Sequence, residues 1–343
     1  MSVVENEREK RVTQADVARL AGVSRSIVSY VINNGPRSVS EEKRQRVLRA
    51  IERLDYRPNK HAQMLIQEKW ESVAANQLGV VISSVNAFKR PYYGEILAGL
   101  HEEAHRRGYH IRFIRLFEAL RNPALLNQLI HKHEVSGLVL LALDQVLHTA
   151  ADRELLEKIV GRVKRVVCLE WHHKGLLSVT FDRYRAAFDA AAHLLGLGHR
   201  TLAYIGPADE RVGGVRAALS EAGLALTREA NDAHSGFEQA VALKETASLT
   251  ALVAGSDEVA FGVLKACHRQ GVRVPDDLAV VSIDNIDLAE FALPALTTVN
   301  VPKRELGQQA VRTLLEQGEG LPVTVTLPTN LVVRESCGAR KTY

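Results

Sequence analysis

Apolar residues near the start of the chain recur at helical spacing until a glycine interrupts them. Thr13 and Asp16 stand at the spacing of a capping box, which predicts that a helix begins after Thr13. Gly22 follows this segment, at a position where a residue without a Cβ turns at least cost. Ser24 is placed to cap a second helix. The apolar side of the first helix is expected to consist of Ala15, Val17, Ala18 and Leu20.

The second helix carries polar residues on its outward side. A helix, a tight turn and a second helix form the arrangement that places one helix in the major groove of DNA. A three-helix bundle that binds nothing would share the apolar pattern, but the outward polar set favours DNA, because each member can bond a base edge or a phosphate. The outward residues are Arg25, Ser26, Ser29, Tyr30 and Asn33.

The positive charge of the chain is concentrated in the same segment. Residues 1–70 hold 14 Lys and Arg against 9 Asp and Glu, a net charge of +5, whereas the remaining residues have a net charge of −1. A basic, solvated surface alone would be weak evidence for DNA binding. Together with the helix-turn-helix pattern, it supplies the charge needed to neutralise phosphates.

The residues after the second helix predict a third helix, a short hinge and a linker. The third helix is expected from Ser40 to Asp55, with an inner side of Val47, Leu48, Ile51 and Leu54. Residues 60–67 favour one short helix, and residues 68–77 lack apolar periodicity. We therefore expect a DNA-binding domain at 1–58, a hinge helix and linker at 59–77, and a third region at 78–343.

From Leu78 onward, short apolar runs alternate with amphipathic helices. Strands are expected at 78–83, 109–116, 137–141 and 165–170, and the alternation begins again with strands at 202–206, 249–255 and 278–283. This βαβ alternation predicts parallel sheets covered by helices on both faces. Two such halves suggest two similar lobes that face a cleft, with ligands bound beyond the carboxyl ends of the strands.

Composition limits the number of domains, the cell compartment and the kinds of metal or disulfide site that can be expected. The chain has 343 residues, of which 46% are hydrophobic and 24% charged, so it can build two or three domains and is not disordered. No apolar run reaches the roughly 20 residues of a membrane helix, and the charged N-terminus lacks a signal core, so we expect a cytoplasmic protein. Cys168, Cys267 and Cys337 favour buried thiols over a disulfide framework or a zinc site, and no cofactor is expected.

Several longer motifs are distinctive, including TQADVARLAGVS (13–24), RVLRAIERLDYRPN (46–59), HLLGLGHRTLAYIG (193–206), SDEVAFGVLKA (256–266) and GVRVPDDLAVVSIDN (271–285). In these motifs the chain resembles the lactose-repressor (LacI/GalR) family of bacterial transcription regulators. The resemblance implies a helix-turn-helix domain with a hinge helix, followed by a bilobed domain similar to periplasmic binding proteins, an α plus α/β fold with two doubly wound parallel sheets. It also implies a homodimer that binds a palindromic operator under the control of a small molecule.

The resemblance assigns DNA contacts to individual residues. Arg25, Ser26 and Tyr30 fall where the family reads bases, and Leu65 falls where it inserts a leucine into the minor groove. Tyr30 departs from the arginine often found there and cannot make a bidentate contact to guanine. The stretch between Leu65 and Leu78 is several residues longer than usual. The full predicted set is Thr13, Ser24, Arg25, Ser26, Ser29, Tyr30, Asn33, Asn59, Ala62 and Leu65.

The resemblance also implies an effector site between the lobes. Carboxylates, a guanidinium and aromatic rings suit a polyhydroxylated ligand. Asp182 and Asp257 each begin a predicted helix and could serve only as caps there. The effector class stays open among sugars, phosphosugars and nucleoside-like molecules. The predicted contacts are Tyr92, Tyr93, Glu170, Phe181, Asp182, Arg211, Asp257 and Asp284.

Two rival functions have specific sequence support. His101, Glu102 and His105 match the H-E-x-x-H motif of zinc hydrolases, but no third ligand follows, and the apolar residues of that helix leave both histidines toward solvent. A solute-binding protein would explain two lobes but not residues 13–65, and it would need an export signal. We therefore expect a ligand-controlled, dimeric DNA-binding regulator that is not an enzyme, and repression rather than activation.

Overall fold

The structure, a computed structural model, describes residues 12–33, 39–56, 76–232, 235–242, 249–317 and 322–339. Within these ranges no helix combines the length and apolar character that a bilayer crossing requires. The described chain divides into two compact units. One takes its residues from 1–89, 100–178 and 307–323, and the other from 90–99, 179–306 and 324–343.

Three helices form the N-terminal domain, as the pattern predicts. The Thr13 hydroxyl accepts from the Asp16 amide at 3.3 Å and the Asp16 carboxylate accepts from the Thr13 amide at 2.9 Å, so the capping box is confirmed. Gly22 takes a left-handed conformation with φ of 63°, which ends the first helix. The helices are α1 (Gln14–Ala21), α2 (Arg25–Asn33) and α3 (Glu41–Arg53).

The apolar side of α1 differs from the expectation at two positions. Val17 and Ala18 are buried with Ala21, but Ala15 is exposed and Leu20 is 43% exposed, so placing Ala15 and Leu20 on the inner side was wrong. Leu20 lies two positions beyond Ala18, about 200° further around the helix, and therefore points away from the packed side.

The first sheet has six strands, in the order β11 (Thr324–Leu327), β5 (Leu177–Phe181), β4 (Val166–Leu169), β3 (Gly137–Leu141), β1 (Gln77–Ile82) and β2 (His110–Leu116). Its described central pairs are parallel, with Ile82 opposite both Leu116 and Leu141. The parallel sheet is buried from both faces, which is why β3 is a continuous apolar run. The elements from this part of the chain are β1 (Gln77–Ile82), α4 (Val85–Lys89), α5 (Pro91–Arg106), β2 (His110–Leu116), α6 (Pro123–Leu129), β3 (Gly137–Leu141), α7 (Ala150–Val160), β4 (Val166–Leu169) and β5 (Leu177–Phe181), with short 3₁₀ turns at Phe117–Arg121 and Leu143–Gln145.

The second sheet also has six strands, in the order β12 (Asn330–Val332), β10 (Thr297–Asn300), β9 (Ala279–Asp284), β8 (Ala251–Ala254), β6 (Leu202–Gly206) and β7 (Arg228–Asn231). Its strands pair in parallel except for β12, which is antiparallel to β10. The remaining elements are α8 (Arg183–Gly196), β6 (Leu202–Gly206), α9 (Glu210–Glu221), β7 (Arg228–Asn231), α10 (Phe237–Ala242), β8 (Ala251–Ala254), α11 (Asp257–Gln270), β9 (Ala279–Asp284), α12 (Leu288–Phe291), β10 (Thr297–Asn300), α13 (Lys303–Glu316), β11 (Thr324–Leu327) and β12 (Asn330–Val332).

A buried carboxylate ties three arginines together in the first unit. Glu103 is 2% exposed and accepts from Nε of Arg106 at 2.9 Å, of Arg107 at 3.0 Å and of Arg312 at 3.2 Å. Burial alone would raise the pKa of Glu103, but these hydrogen bonds outweigh it and hold the pKa at about 2. The network joins the C-terminal part of α5 to α13, two helices far apart in sequence.

Replacing Glu103 by Gln should destabilise the protein by about 1–3 kcal/mol, because the three guanidiniums lose their shared anion. The pKa of Glu103 is lowered on folding, so its contribution is present at neutral pH and is lost as the pH falls from about 4 toward 2. Chemical denaturation of both proteins between pH 3 and pH 7 measures the difference. Glu118→Gln, an exposed glutamate, is the control, and equal stability of the Glu103 and Glu118 variants would contradict the account.

Candidate functional site

The outward face of α2 is available to a macromolecule. Ser24 caps this helix through its hydroxyl, which accepts from the Ile27 amide at 3.4 Å. Ser24, Arg25 and Ser26 are exposed, while Ser29 and Tyr30 are partly exposed. The Arg25 Nε donates to the side chain of Gln14 at 3.4 Å, so α1 helps to position this guanidinium. The predicted base-reading residues therefore share one accessible surface.

The structure describes only some of the other predicted DNA contacts. Thr13 is exposed and belongs to the capping box of α1. Asn33 lies in the last turn of α2, but its side chain is outside the described part of the structure. The predictions for Asn59, Ala62 and Leu65, and with them the hinge helix, also fall outside the described residues.

Asp257 is a fully buried acidic residue of the second unit. Its carboxylate accepts from the Ser282 hydroxyl at 2.5 Å, the Thr298 hydroxyl at 2.6 Å and the Ile286 amide at 2.8 Å. Because Ser256 caps α11, Asp257 does not have to cap that helix and instead accepts hydrogen bonds from β9, from β10 and from the segment after β9. Burial raises the pKa of Asp257, although all three donors favour its charged form. The Asp257 carboxylate therefore makes its hydrogen bonds to other groups of the protein and has a structural role.

Asp284, the last residue of β9, and Asn285, which follows it, have unusual backbone conformations. Asp284 has φ of 127° and Asn285 has φ of 54°, both in the left-handed half of conformational space. The ammonium of Lys303 holds this segment by donating to the backbone oxygens of Asp284 at 2.7 Å, Asn285 at 2.8 Å and Val301 at 3.3 Å. Lys303 itself is only 3% exposed. One buried cation thus holds the strained backbone in place through hydrogen bonds to its oxygens.

Asp284 is a buried acid with an altered proton affinity. Burial raises its pKa to about 8, the nearby charge of Asp257 adds to the rise, and Arg211, Arg90 and Lys303 oppose it. Perturbed carboxyls of this kind occur at functional sites, where a polar group is kept away from water until a ligand arrives. Asp284 therefore has the chemistry of a ligand contact, whereas Asp257 has that of a structural anchor.

Arg211 offers a buried hydrogen-bond donor. Its Nη1 binds Asp209 at 2.9 Å, while its Nε is buried and makes no hydrogen bond within the described part of the chain. A buried donor without an acceptor costs about 1–3 kcal/mol, and a ligand oxygen would remove this cost. In the other unit the hydroxyl of Ser83, directly after β1, is likewise a buried polar atom with no described partner.

The start of α5 supplies aromatic rings and a second guanidinium. Tyr92 and Tyr93 are both buried, and their rings meet edge to face with centroids 5.2 Å apart. Arg90 forms an ion pair with Glu258 and lies 5.7 Å from the centre of the Tyr93 ring. All four residues belong to the second unit, together with Arg211 and Asp284.

The positions of the remaining predicted effector contacts give less support for ligand binding. Phe181 is the last residue of β5 and is 2% exposed. Asp182 is exposed and caps α8 by accepting from the Arg185 amide at 2.8 Å. Glu170, the only predicted contact in the first unit, is buried directly after β4 with φ of 70°. Ligand contact by these three residues stays a prediction.

Sequence reasoning missed several members of this site. Arg90 and Glu258 are 168 positions apart, so no local pattern pairs them. A signal did exist for Lys303, because a lysine in the first turn of a helix opposes the helix dipole and needs a compensating partner. His101 and His105 are both exposed, and the described residues contain no group of three or more side chains arranged to hold a metal ion.

Comparison with known proteins identifies both regions. Residues 13–59 match the model of bacterial regulatory proteins of the lacI family, and residues 191–337 match a periplasmic binding protein-like domain. The ribose operon repressor of Haemophilus influenzae is 32% identical over 94% of this chain and 98% of its own length. The regulator CelR of Thermobifida fusca is 33% identical over 96% of this chain and 99% of its own length.

Solved structures agree with these matches. A CelR–cellobiose complex has a TM-score of 0.65 at 30% identity, and covers 95% of this chain and 100% of its own. A lac repressor dimer bound to operator and the anti-inducer ONPF has a TM-score of 0.66 at 28% identity, covering 96% and 99%. The chain belongs to the lacI family of bacterial regulatory proteins, and the expected fold class is confirmed. It is a DNA-binding transcriptional regulator.

Asp284 and Asp257 should respond differently to replacement by Asn. The pKa of Asp284 is raised on folding, from about 3.9 in an unfolded chain to about 8. Between these values the folded state binds the extra proton, so this residue makes stability fall as the pH rises. Asp284→Asn should therefore reduce the loss of stability between pH 5 and pH 8. Asp257→Asn should lower stability by about 1–3 kcal/mol, because one of the two acceptor oxygens becomes an NH2 group and cannot accept from all three donors.

Thermal unfolding across this pH range measures both effects. Asp182→Asn is the matched control, because Asn caps a helix about as well as Asp and the site is exposed. An Asp284 variant that kept the wild-type pH slope would show that this carboxyl does not hold a proton at neutral pH.

Proposed function

We propose that this protein is a repressor that binds a palindromic operator as a dimer and changes its DNA affinity when a small molecule binds its second unit. The exposed polar face of α2 carries the DNA part of the proposal. Arg25 and Tyr30 read bases, while the basic residues of α3, such as Lys43 and Arg46, contact phosphates and set the register.

The buried donor of Arg211 beside the buried carboxyl of Asp284 carries the effector part. A ligand with neighbouring hydroxyls accepts from Arg211 and donates to Asp284, and the Tyr92 and Tyr93 rings supply apolar surface. The two guanidiniums are already matched, Arg90 by Glu258 and Arg211 by Asp209. A phosphosugar would have to compete with those carboxylates, so the charge balance favours a neutral sugar or nucleoside-like molecule.

An exposed apolar patch on the second unit supports self-association. Leu293 is 91% exposed, Phe291 76% and Leu288 55%, all within six consecutive residues. Contiguous apolar exposure of this kind marks an interaction surface. A two-fold axis at this patch would bring identical residues together, as an isologous dimer requires. The dimeric relative bound to operator is consistent with this arrangement.

Catalysis is not part of the proposed function. The relatives named above are transcriptional regulators. The exposed His101 and His105 lack a described third ligand, so the H-E-x-x-H match favours no hydrolase. We place the protein in the cytoplasm, where the bacterial chromosome lies.

Arg25→Ala should weaken operator binding by about 1–3 kcal/mol and relax the preference at one base pair in each half-site. Lys43→Ala should instead weaken binding to all sequences alike and reduce the salt dependence of affinity. Selection of DNA from a random pool, followed by titration at several salt concentrations, separates the two effects. Recovery of the same motif by the Arg25 variant and the wild type would refute the base-reading assignment.

Leu293→Asp should dissociate the dimer, because two carboxylates would be buried against apolar surface near the symmetry axis. Burying one Leu side chain contributes about 1.5–3 kcal/mol, and the dimer contains two copies. Sedimentation velocity over a concentration series reports the assembly state. Leu197→Asp, at a partly exposed leucine after α8, is the control. A Leu293 variant that remained dimeric would remove this patch from the interface.

A further inference from the structure

The third helix of the N-terminal domain packs against two helices of the same unit. Asn127, on α6, is 1% exposed, and its Nδ2 donates to the backbone oxygen of Tyr56 at 3.3 Å and of Ile51 at 3.5 Å. Ile51 lies in the last turn of α3, where its oxygen also accepts from the Tyr56 amide at 3.0 Å, and Tyr56 follows three residues after the helix. A side chain 71 positions further along the chain thus supplies donors to that end.

Arg162 fixes the orientation of Asn127. Its Nη1 donates to Asn127 Oδ1 at 2.6 Å, and its Nη2 lies 3.5 Å from the carboxylate of Asp55. A guanidinium cannot accept a hydrogen bond, so the amide oxygen must face Arg162 and the amide nitrogen must face α3. Both ends of the buried amide are therefore satisfied only when the N-terminal domain is in place.

Apolar packing and an ion pair extend the same contact. Ala124, one turn before Asn127, is 4% exposed and belongs to the apolar core of the N-terminal domain, with Val47 and Ile51. Lys158, on α7, donates to Glu52 on α3 at 2.9 Å. The contact thus combines apolar burial, hydrogen bonds at a helix end and complementary charge.

We propose that this surface, formed by Ala124, Asn127, Lys158 and Arg162, is a docking site for the third helix of the DNA-binding domain. It gives that domain a second connection to the rest of the protein, independent of residues 57–75. The surface engages α3 and leaves Ser24, Arg25 and Ser26 of the reading face exposed. Docking therefore presents the domain to DNA instead of masking it, an inference that rests on the proposed function of α2.

Asn127→Ala should free the domain without touching its reading face. Amide hydrogen exchange of the full-length protein should become about fivefold to tenfold faster over residues 41–56, since this segment loses the two hydrogen bonds from Asn127 that hold it against α6. Affinity for duplex DNA selected from a random pool by the wild type should fall by a similar factor, because the domain must then be ordered on binding. The preferred sequence should not change. Gln128→Ala, the next residue on α6, is the control.

A charge-reversal pair keeps the test independent of any folding defect in the Asn127 variant. Lys158→Glu and Glu52→Lys should each speed exchange in α3, and the double variant should restore it toward wild type. Unchanged exchange in the Asn127 variant, or no restoration by the pair, would overturn the docking site. Tighter DNA binding by the Asn127 variant would show that docking masks the domain and would also overturn the proposal. If the wild type selected no duplex, the proposed function would fail, yet the exchange measurements would still decide on docking.

Discussion

The buried carboxylate of Asp257 is the interaction on which the candidate effector site depends. A charge taken out of water is tolerated only if donors replace the water, and Ser282, Thr298 and Ile286 do so. These donors come from β9, from β10 and from the segment after β9, so one side chain sets their relative positions. Asp284 lies between two of these fixed points. Its orientation is therefore determined before any ligand binds, which lowers the entropic cost of recognition.

The same segment carries an energetic cost that the rest of the unit offsets. Asp284 and Asn285 adopt left-handed backbone conformations, and each such residue typically costs about 1–3 kcal/mol. Lys303 compensates with three hydrogen bonds to backbone oxygens, and it opposes the raised pKa of Asp284. The unit thus holds a strained, partly desolvated acid ready for a ligand, at the expense of its own stability.

Much of the fold can be predicted from local sequence patterns, whereas much of the candidate effector site cannot. The capping box of Thr13, the left-handed Gly22 and the buried run at 137–141 are local features, and the structure confirms them. Short strands such as Thr297–Asn300 and Asn330–Val332 have too few residues for a clear alternation, so they were not predicted. The helix Lys303–Glu316 was missed as well. Arg90 and Glu258 meet only through the tertiary fold, and single-sequence periodicity holds no information about such a pair.

Coupling between the small-molecule site and DNA is the central claim. A panel of neutral sugars, nucleosides and sugar phosphates, screened by thermal shift against the wild type and Asp284→Asn, identifies a ligand that needs this carboxyl. The decisive measurement is the affinity of the dimer for its selected operator with and without that ligand. The account predicts a change of at least about fivefold, and an equal change in ligand affinity when operator is bound. A ligand that requires Asp284 but leaves operator affinity unchanged would contradict it.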